Sequence, residues 1–361
     1  MTTDPGLAGW LQLTLTPGLG AATLRGLLQK YGLPENVLAA GRAELVRQVG
    51  PQTLQALDSP GVASAVERAL AWLAQSGHSI VTLADAAYPR LLLEIADPPA
   101  LLYCRGRAEL LNRPALAVVG SRNATAQGAR NAEQFARAFS AAGLTIVSGL
   151  AQGIDAAAHR GGLAADGATI AVLGTGVDNV YPKANAALAE EIATRGLLVS
   201  EFPLGTQALA HHFPRRNRLI SGLAQGCLVV EAALGSGSLI TARSAAEQGR
   251  EVFALPGSIH SPLSKGCHAL IKQGAKLAES AEDVLSELAS FRRTGFASTR
   301  APASAAADEP LLECMGFDPV DVDSLCARAG LPAESVSADL LRLELAGRVA
   351  ALPGGLYQRL N

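Results

Sequence analysis

Six short runs between residues 116 and 255 limit what this chain can fold into: Leu116–Gly120, Leu144–Ser148, Thr169–Gly174, Leu197–Ser200, Cys227–Glu231 and Glu251–Leu255. Each is rich in strand-forming apolar residues with almost no polar alternation, the pattern of strands buried on both faces of a parallel sheet. Stretches such as Gly128–Ala142 and Ser238–Gly249 fall between them, with apolar residues at helical spacing and a glycine near their ends. Strand and helix in alternation predict an α/β fold, a Rossmann-like, doubly wound, mostly parallel sheet over residues 81–290. Residues 81–115 read as a lead-in strand and an extended segment around Asp97-Pro98-Pro99.

The flanks read differently. Over residues 1–80, Trp10, Leu11, Leu13, Leu15, Leu24, Leu27 and Leu28 recur at helical spacing around the turn Pro17-Gly18-Leu19-Gly20. This predicts a small helical domain of helix-hairpin-helix or SAM-like type; a plain αα-hairpin fits the same residues. Residues 291–310 are rich in Ala, Ser, Thr and Pro and read as a flexible linker. Residues 311–361 suggest three short helices and a β-hairpin around Pro353-Gly354-Gly355, the order of a winged helix. That segment carries seven acids against four basic residues, and its third helix near Glu334–Leu345 holds Glu334, Asp339 and Glu344 against Arg342 alone. An acidic recognition helix matches DNA phosphate poorly, so protein contact is the expected use.

Composition excludes several classes. No run of about eighteen uncharged apolar residues occurs, so no membrane span or membrane partner is expected. The start, Met1-Thr2-Thr3-Asp4-Pro5, shows no signal-peptide pattern, which points to a cytoplasmic location. Cys104, Cys227, Cys267, Cys314 and Cys326 form no CxxC pair, and the histidines form no HExxH, so neither a disulfide framework nor a metal site is expected.

In an open α/β sheet, ligands bind beyond the carboxyl ends of the strands. Small residues crowd there in turn after turn: Gly120-Ser121, Ser148-Gly149 through Gly153, Gly174-Thr175-Gly176, Gly235-Ser236-Gly237-Ser238 and Pro256-Gly257-Ser258. Glycine admits a ligand to backbone N–H groups, and helix N-termini favour anions, so the set points to a phosphate-bearing ligand. GxGxxG is absent after the first strand and no Walker A sequence occurs, so neither a dinucleotide nor a P-loop site is expected. The nearest approach to a nucleophile elbow, Gly235-Ser236-Gly237-Ser238-Leu239, lacks the closing glycine.

The strongest polar element is Phe213-Pro214-Arg215-Arg216-Asn217-Arg218, at the start of a helix inside residues 203–230, which carry no acid. Arginines at a helix N-terminus oppose the dipole unless an anion lies there. A solvated turn, or pairing with Glu201 or Glu231, accounts for them equally. Glu201 and Glu231 end neighbouring strands and suit either an acid–base pair or a buttress for the arginines. Asp155 and His159 are four apart on a helix and read as a structural pair. Lys265 suits a phosphate contact or a solvated surface. Aromatic residues make up only 4% of the chain, so broad base-stacking platforms are not expected. Phe213 suits core packing or the stacking of one base.

The run Val119-Gly120-Ser121-Arg122, then Ser148-Gly149-Leu150-Ala151-Gln152-Gly153-Ile154-Asp155, resembles the DNA-processing protein A (DprA/Smf) family. So do Val172 to Asp178 with Tyr181-Pro182, Ser200-Glu201, Phe213–Arg218, Ser236 to Ala242 and Ala254 to Ser258. The resemblance implies a homodimeric single-stranded DNA binder of natural transformation. Such a protein protects incoming strands and helps load the RecA recombinase, with no cofactor and no catalytic residue. Carried onto this chain, Ser121 and Arg122 become phosphate contacts, and Arg215, Arg216, Asn217 and Arg218 the rim of the DNA pocket. Gly149, Gly153, Ser236, Gly237 and Ser238 supply backbone or hydroxyl donors, Gly174 joins the DNA-binding set, and Lys265 is a further contact. Leu234-Gly235 stand where many members carry a basic residue. The alternative is a nucleotide-processing enzyme of the lysine-decarboxylase-like, nucleoside monophosphate phosphoribohydrolase kind, whose Pro-Gly-Gly-x-Gly-Thr turn is missing here. A third class is a pure adaptor whose pocket binds nothing.

Overall fold

The structure, a computed structural model, describes residues 5–288, 310–316, 319–352 and 354–360. The expected linker at 291–310 therefore lies outside the described residues, apart from Pro310. Six helices open the chain: α1 (Pro5–Leu15), α2 (Ala21–Tyr31), α3 (Pro34–Ala39), α4 (Arg42–Val49), α5 (Pro51–Leu57) and α6 (Pro60–Leu73). Two motifs start or turn them. Gly18 takes φ +83° between α1 and α2, a conformation that suits glycine. Ser59 accepts from the Val62 amide at the N-terminus of α6, where Pro60 lacks a donor to leave unpaired.

The central sheet follows as β1 (His78–Thr82), α7 (Arg90–Leu93), β2 (Leu101–Gly106), β3 (Ala115–Val119), α8 (Ala126–Ala141), β4 (Thr145–Ser148), α9 (Ile154–Leu163), β5 (Thr169–Val172) and α10 (Ala186–Arg195). It continues as β6 (Leu197–Ser200), α11 (His212–Gly222), β7 (Gly226–Val229), α12 (Ser238–Glu247), β8 (Glu251–Ala254), α13 (Lys265–Lys272), β9 (Lys276–Leu277) and α14 (Ala281–Glu287). Spatial order is β1-β2-β6-β5-β4-β3-β7-β8-β9. Pairings from β6 to β9 are parallel, whereas β1 with β2 and β2 with β6 are antiparallel. The predicted parallel core is present, and the segment before it adds a two-stranded antiparallel edge.

Alternation along β3 shows how both faces are covered. Ala117 and Val119 pack with Leu219 and Ile220 of α11 and Leu239 and Ala242 of α12. Leu116 and Val118 face Ala132, Ala136 and Phe139 of α8 and Ile154 and Ala157 of α9. Helices α8 and α9 approach so closely that a Cβ on Gly161 would lie 2.2 Å from the Glu133 carbonyl oxygen. Trp10, Leu11 and Trp72 of the N-terminal helices join Leu101, Tyr103 and Leu198 in a further cluster, so the helical unit is anchored to the antiparallel edge.

The C-terminal unit comprises α15 (Pro310–Met315), β10 (Val320–Asp321), α16 (Val322–Ala329), α17 (Ala333–Leu345), β11 (Val349–Leu352) and β12 (Leu356–Arg359), with strand order β10-β12-β11. It is the winged helix expected from the sequence, with its own core of Leu312, Leu325, Leu340 and Leu343. Asp321 caps α16 by accepting from the Ser324 amide at 2.8 Å.

Candidate nucleic-acid interface

The chain steps from β3 through β4 and β5 to β6 on one side, then returns to place β7 on the other side of β3. A crevice opens beyond the carboxyl ends of strands at such a reversal. Here it is a cavity of about 780 Å³, bounded by Gly120 to Asn123 after β3, Gly235 to Ser238 after β7, and Phe213, Pro214, Arg216 and Asn217 at the start of α11. Glycine is required where the walls meet: a Cβ on Gly120 would lie 2.6 Å from the Ile154 side chain. The charged lining residues are Arg122, Arg216 and Asp155, two cations against one carboxylate.

Arg216 is buried, and its Nη1 donates to the Gly149 carbonyl at 2.6 Å and to the Val172 carbonyl. Burial pulls its guanidinium down to about 10, with Asp155 holding it up and Arg122 adding to the fall, so it remains a cation at neutral pH. Asp155 accepts from the amides of Gly149 at 3.1 Å and Ala151 at 3.4 Å. Burial raises its carboxyl pKa, and Arg216 opposes that rise. The Leu150 amide donates to His159 Nε2 at 3.2 Å, while His159 Nδ1 lies 2.7 Å from Thr169 Oγ1, which itself donates to the Ile146 carbonyl. His159 is therefore a neutral ring with the proton on Nδ1, and burial pushes its pKa down to about 3. Asp155 and His159 do not bond each other. Together with Arg216 they hold the loop after β4, where Leu150 adopts φ +60°.

Gly149 was expected to offer its N–H to a ligand, but that amide is engaged by Asp155. Its glycine character serves Arg216 instead, because a Cβ there would lie 2.7 Å from the guanidinium. Gly153, at φ +74°, is likewise a close-approach position, with the Ser121 carbonyl oxygen 2.3 Å from any Cβ. Gly174 leaves room for Phe213, whose ring would be 3.0 Å from a Cβ.

Phe213 lines the cavity and belongs to none of the hydrophobic clusters among the described residues, so its expected alternative of core packing does not hold. The Arg122 guanidinium lies 5.6 Å from its ring centroid and that of Arg216 5.9 Å. Tyr181, 49% exposed, tilts against Phe213 at 5.6 Å. An exposed cation, a buried cation and two aromatic rings thus share one wall. In the sequence Tyr181 stands only within the family resemblance, with no role in the site; as an aromatic in a loop beyond β5, it lacks any periodic signal. Ser121 Oγ accepts from the Asn123 amide at 3.2 Å, which leaves its own O–H to donate into the cavity. Ser236 and Ser238 share a hydrogen bond of 2.7 Å, and Asn217 Nδ2 donates to the Gly237 carbonyl at 3.4 Å. The N-terminus of α12 faces the cavity with no side-chain cap at Gly237, so its dipole favours an anion there.

The arginine cluster divides. Arg216 and Asn217 line the cavity, whereas Arg215 and Arg218 turn to Glu201, whose Oε2 receives Arg215 Nη2 at 3.1 Å and Arg218 Nη2 at 2.6 Å. Successive helical residues diverge by about 100°, and 215 and 218 share the face that meets Glu201. The expected single rim of four residues is thus corrected to two. Of the alternatives for the strand-end carboxylates, Glu201 is the buttress. Glu231 instead accepts from the Thr125 amide at 3.0 Å and its hydroxyl at 2.6 Å, closing the N-terminus of α8. Lys265 is absent from the cavity wall and donates to the Ile259 carbonyl. Among the described residues no cluster suits a metal ion, and no helix is long and apolar enough to cross a membrane.

Residues 79–289 match the model of the DNA recombination-mediator protein A family, and residues 297–355 that of the DprA winged helix domain. The protein Smf of Escherichia coli is 46% identical over 304 residues, 82% of this chain and 81% of the relative. The X-ray structure of DNA processing protein A from Streptococcus pneumoniae superposes with a TM-score of 0.67 at 40% identity, covering 80% of this chain and 99% of that one. A structure of DNA processing protein A from Helicobacter pylori, described for its single-stranded DNA binding mode, superposes with a TM-score of 0.54 at 30% identity over 59% of this chain and 96% of its own.

Proposed function

Because this chain belongs to the DNA recombination-mediator protein A family, we propose that it captures single-stranded DNA in the switch-point cavity and does so without catalysis. The observation that carries this reading is the wall of Arg122, Phe213 and Arg216 in the same cavity as the N-terminus of α12. Phosphate meets Arg122, Ser121 and the start of α12, and one base stacks on Phe213 or Tyr181. Arg216 supplies field and leaves only Nη2 for contact, because Nη1 already holds two carbonyls and Nε the Asn217 side-chain oxygen. The cavity has the size of a small-ligand pocket, about 300–1,000 Å³, and suits a short stretch of strand rather than a duplex. Single-stranded binding by the Helicobacter pylori relative supports the same assignment.

The nucleotide-cleaving alternative needs a carboxylate free to act in the cavity. Glu201 and Glu231 face elsewhere, and Asp155 is committed to two backbone amides. The rest of the reading follows the family: a cytoplasmic homodimer whose two pockets raise affinity through avidity, acting in natural transformation to shield incoming strands and load RecA. The acidic winged helix is the proposed protein-contact module. Titration of a labelled oligo-dT against unlabelled duplex tests the central claim. Strong binding that resists duplex competitor is expected; equal competition by duplex, or base release from nucleoside monophosphates, sinks it.

A further inference from the structure

A second cleft, of about 200 Å³, lies between the α1–α2 turn and the end of β6, walled by Leu19, Gly20, Ala21, Tyr103, Glu201 and Arg215. Two independent features meet in it. The N-terminus of the eleven-residue α2 has no side-chain cap at Gly20 and no acid in its first turn, so its amides and dipole are open to an anion. The second feature is Glu201, only 2% exposed: Oε2 receives Arg215 and Arg218, but Oε1 finds no hydrogen-bond donor among the described residues. A buried carboxylate oxygen without a donor is costly, and it selects a ligand that brings an N–H. The two arginines offset the carboxylate charge, so the cleft does not repel a phosphate.

We propose that this cleft is a second subsite for the bound strand: it takes one nucleotide, its phosphate at the start of α2 and an exocyclic amino group of its base donating to Glu201 Oε1. The proposal rests on the strand-binding reading above. Arg215 and Arg216 are neighbours on α11 yet line different hollows, so a strand leaving the main cavity across the start of α11 arrives at the cleft. A carboxylate that accepts from cytosine N4 rejects thymine, which presents the O4 acceptor instead.

The test compares oligo-dC with oligo-dT of equal length on the full chain at pH 8 and fixed salt, by fluorescence anisotropy. Wild type is expected to bind oligo-dC about tenfold more tightly, the worth of one hydrogen bond to a charged group. Gly20→Asp places a carboxylate at a position where helices favour it, with no atom within 4 Å of the new Cβ. It should abolish the preference, so that oligo-dC and oligo-dT bind equally. Glu201→Gln can keep its oxygen on the arginines and turn its amino group into the cleft, which should reverse the preference toward oligo-dT. Equal wild-type affinities, a preference that survives Gly20→Asp, or an equal loss on both oligomers in Glu201→Gln overturns the proposal. Failure of the main-cavity reading shows separately, as oligo-dT binding that is indifferent to Arg122→Ala.

Discussion

Arg122→Ala separates binding from folding more cleanly than any other change in the cavity wall. The side chain is exposed, and among the described residues its partner is the Phe213 ring at 5.6 Å. Removing an exposed cation–π contact costs about 0.5–1 kcal/mol, so the melting transition should hardly move. Its proposed phosphate contact is a charge-assisted hydrogen bond worth about 1.5–3 kcal/mol, which predicts oligo-dT binding weakened about tenfold to a hundredfold. One fewer phosphate neutralised should also lower the slope of log affinity against log salt by about 0.7. Anisotropy titrations at four or five KCl concentrations measure both quantities on one sample. Arg215→Ala is the control, because Arg215 turns away to Glu201. If Arg215→Ala weakens oligo-dT as much as Arg122→Ala does, or if Arg122→Ala leaves the salt slope intact, the assignment of the two arginines to different faces is wrong.

Arg216→Ala should act on the fold first: it leaves the Gly149 and Val172 carbonyls and the buried Asp155 without their cation, and a loss of about 3–5 kcal/mol is expected in urea unfolding. Phe213→Ala should weaken oligo-dT by about 1–3 kcal/mol in the same titration, with little change in stability, because the ring lies outside the hydrophobic clusters. His159 sets an acid limit on stability. Its native pKa of about 3 lies below the unfolded value of about 6.5, so between them the unfolded chain binds a proton that the native chain does not. Stability from this group is complete above pH ~6.5 and falls toward pH ~3 by up to about 1.4 kcal/mol per unit. Asp155, raised by burial, has the opposite sign: its contribution is present at low pH and is lost as pH rises through its raised value. His159→Gln should therefore flatten the urea-midpoint profile between pH ~6.5 and ~4, and an unchanged acid slope would contradict the neutral-ring assignment. Gly153→Ala, at φ +74° and facing the Ser121 carbonyl, should lose more than the about 1–2 kcal/mol of a left-handed residue alone, read from the same unfolding curves.

Much of the architecture was legible because it is written in local periodicity. The runs at Thr169 and Leu197 became β5 and β6, and the apolar repeat from Ser238 became α12, because a strand buried on both faces and an amphipathic helix each leave a signature within a dozen residues. The glycines after β3, β4 and β5 read in sequence as giving a ligand access to backbone N–H groups, whereas at Gly149 it is the Arg216 guanidinium that approaches. The antiparallel edge of β1 and β2 was half hidden, since strands of five and six residues with only the four-residue α7 between them resemble any extended segment.

Local pattern alone placed the strands to within one or two residues of their ends, and showed that arginines and an asparagine open α11. Which way those arginines point was settled only by tertiary structure. Glu201 captures Arg215 and Arg218, and Glu231 reaches back 106 residues to Thr125. A side chain's direction depends on which partner the fold brings within reach, and partners so distant in the chain leave no periodic trace. Coulomb attraction to Glu201, a few ångströms away, decided that Arg215 and Arg218 leave the cavity wall while Arg216 stays in it.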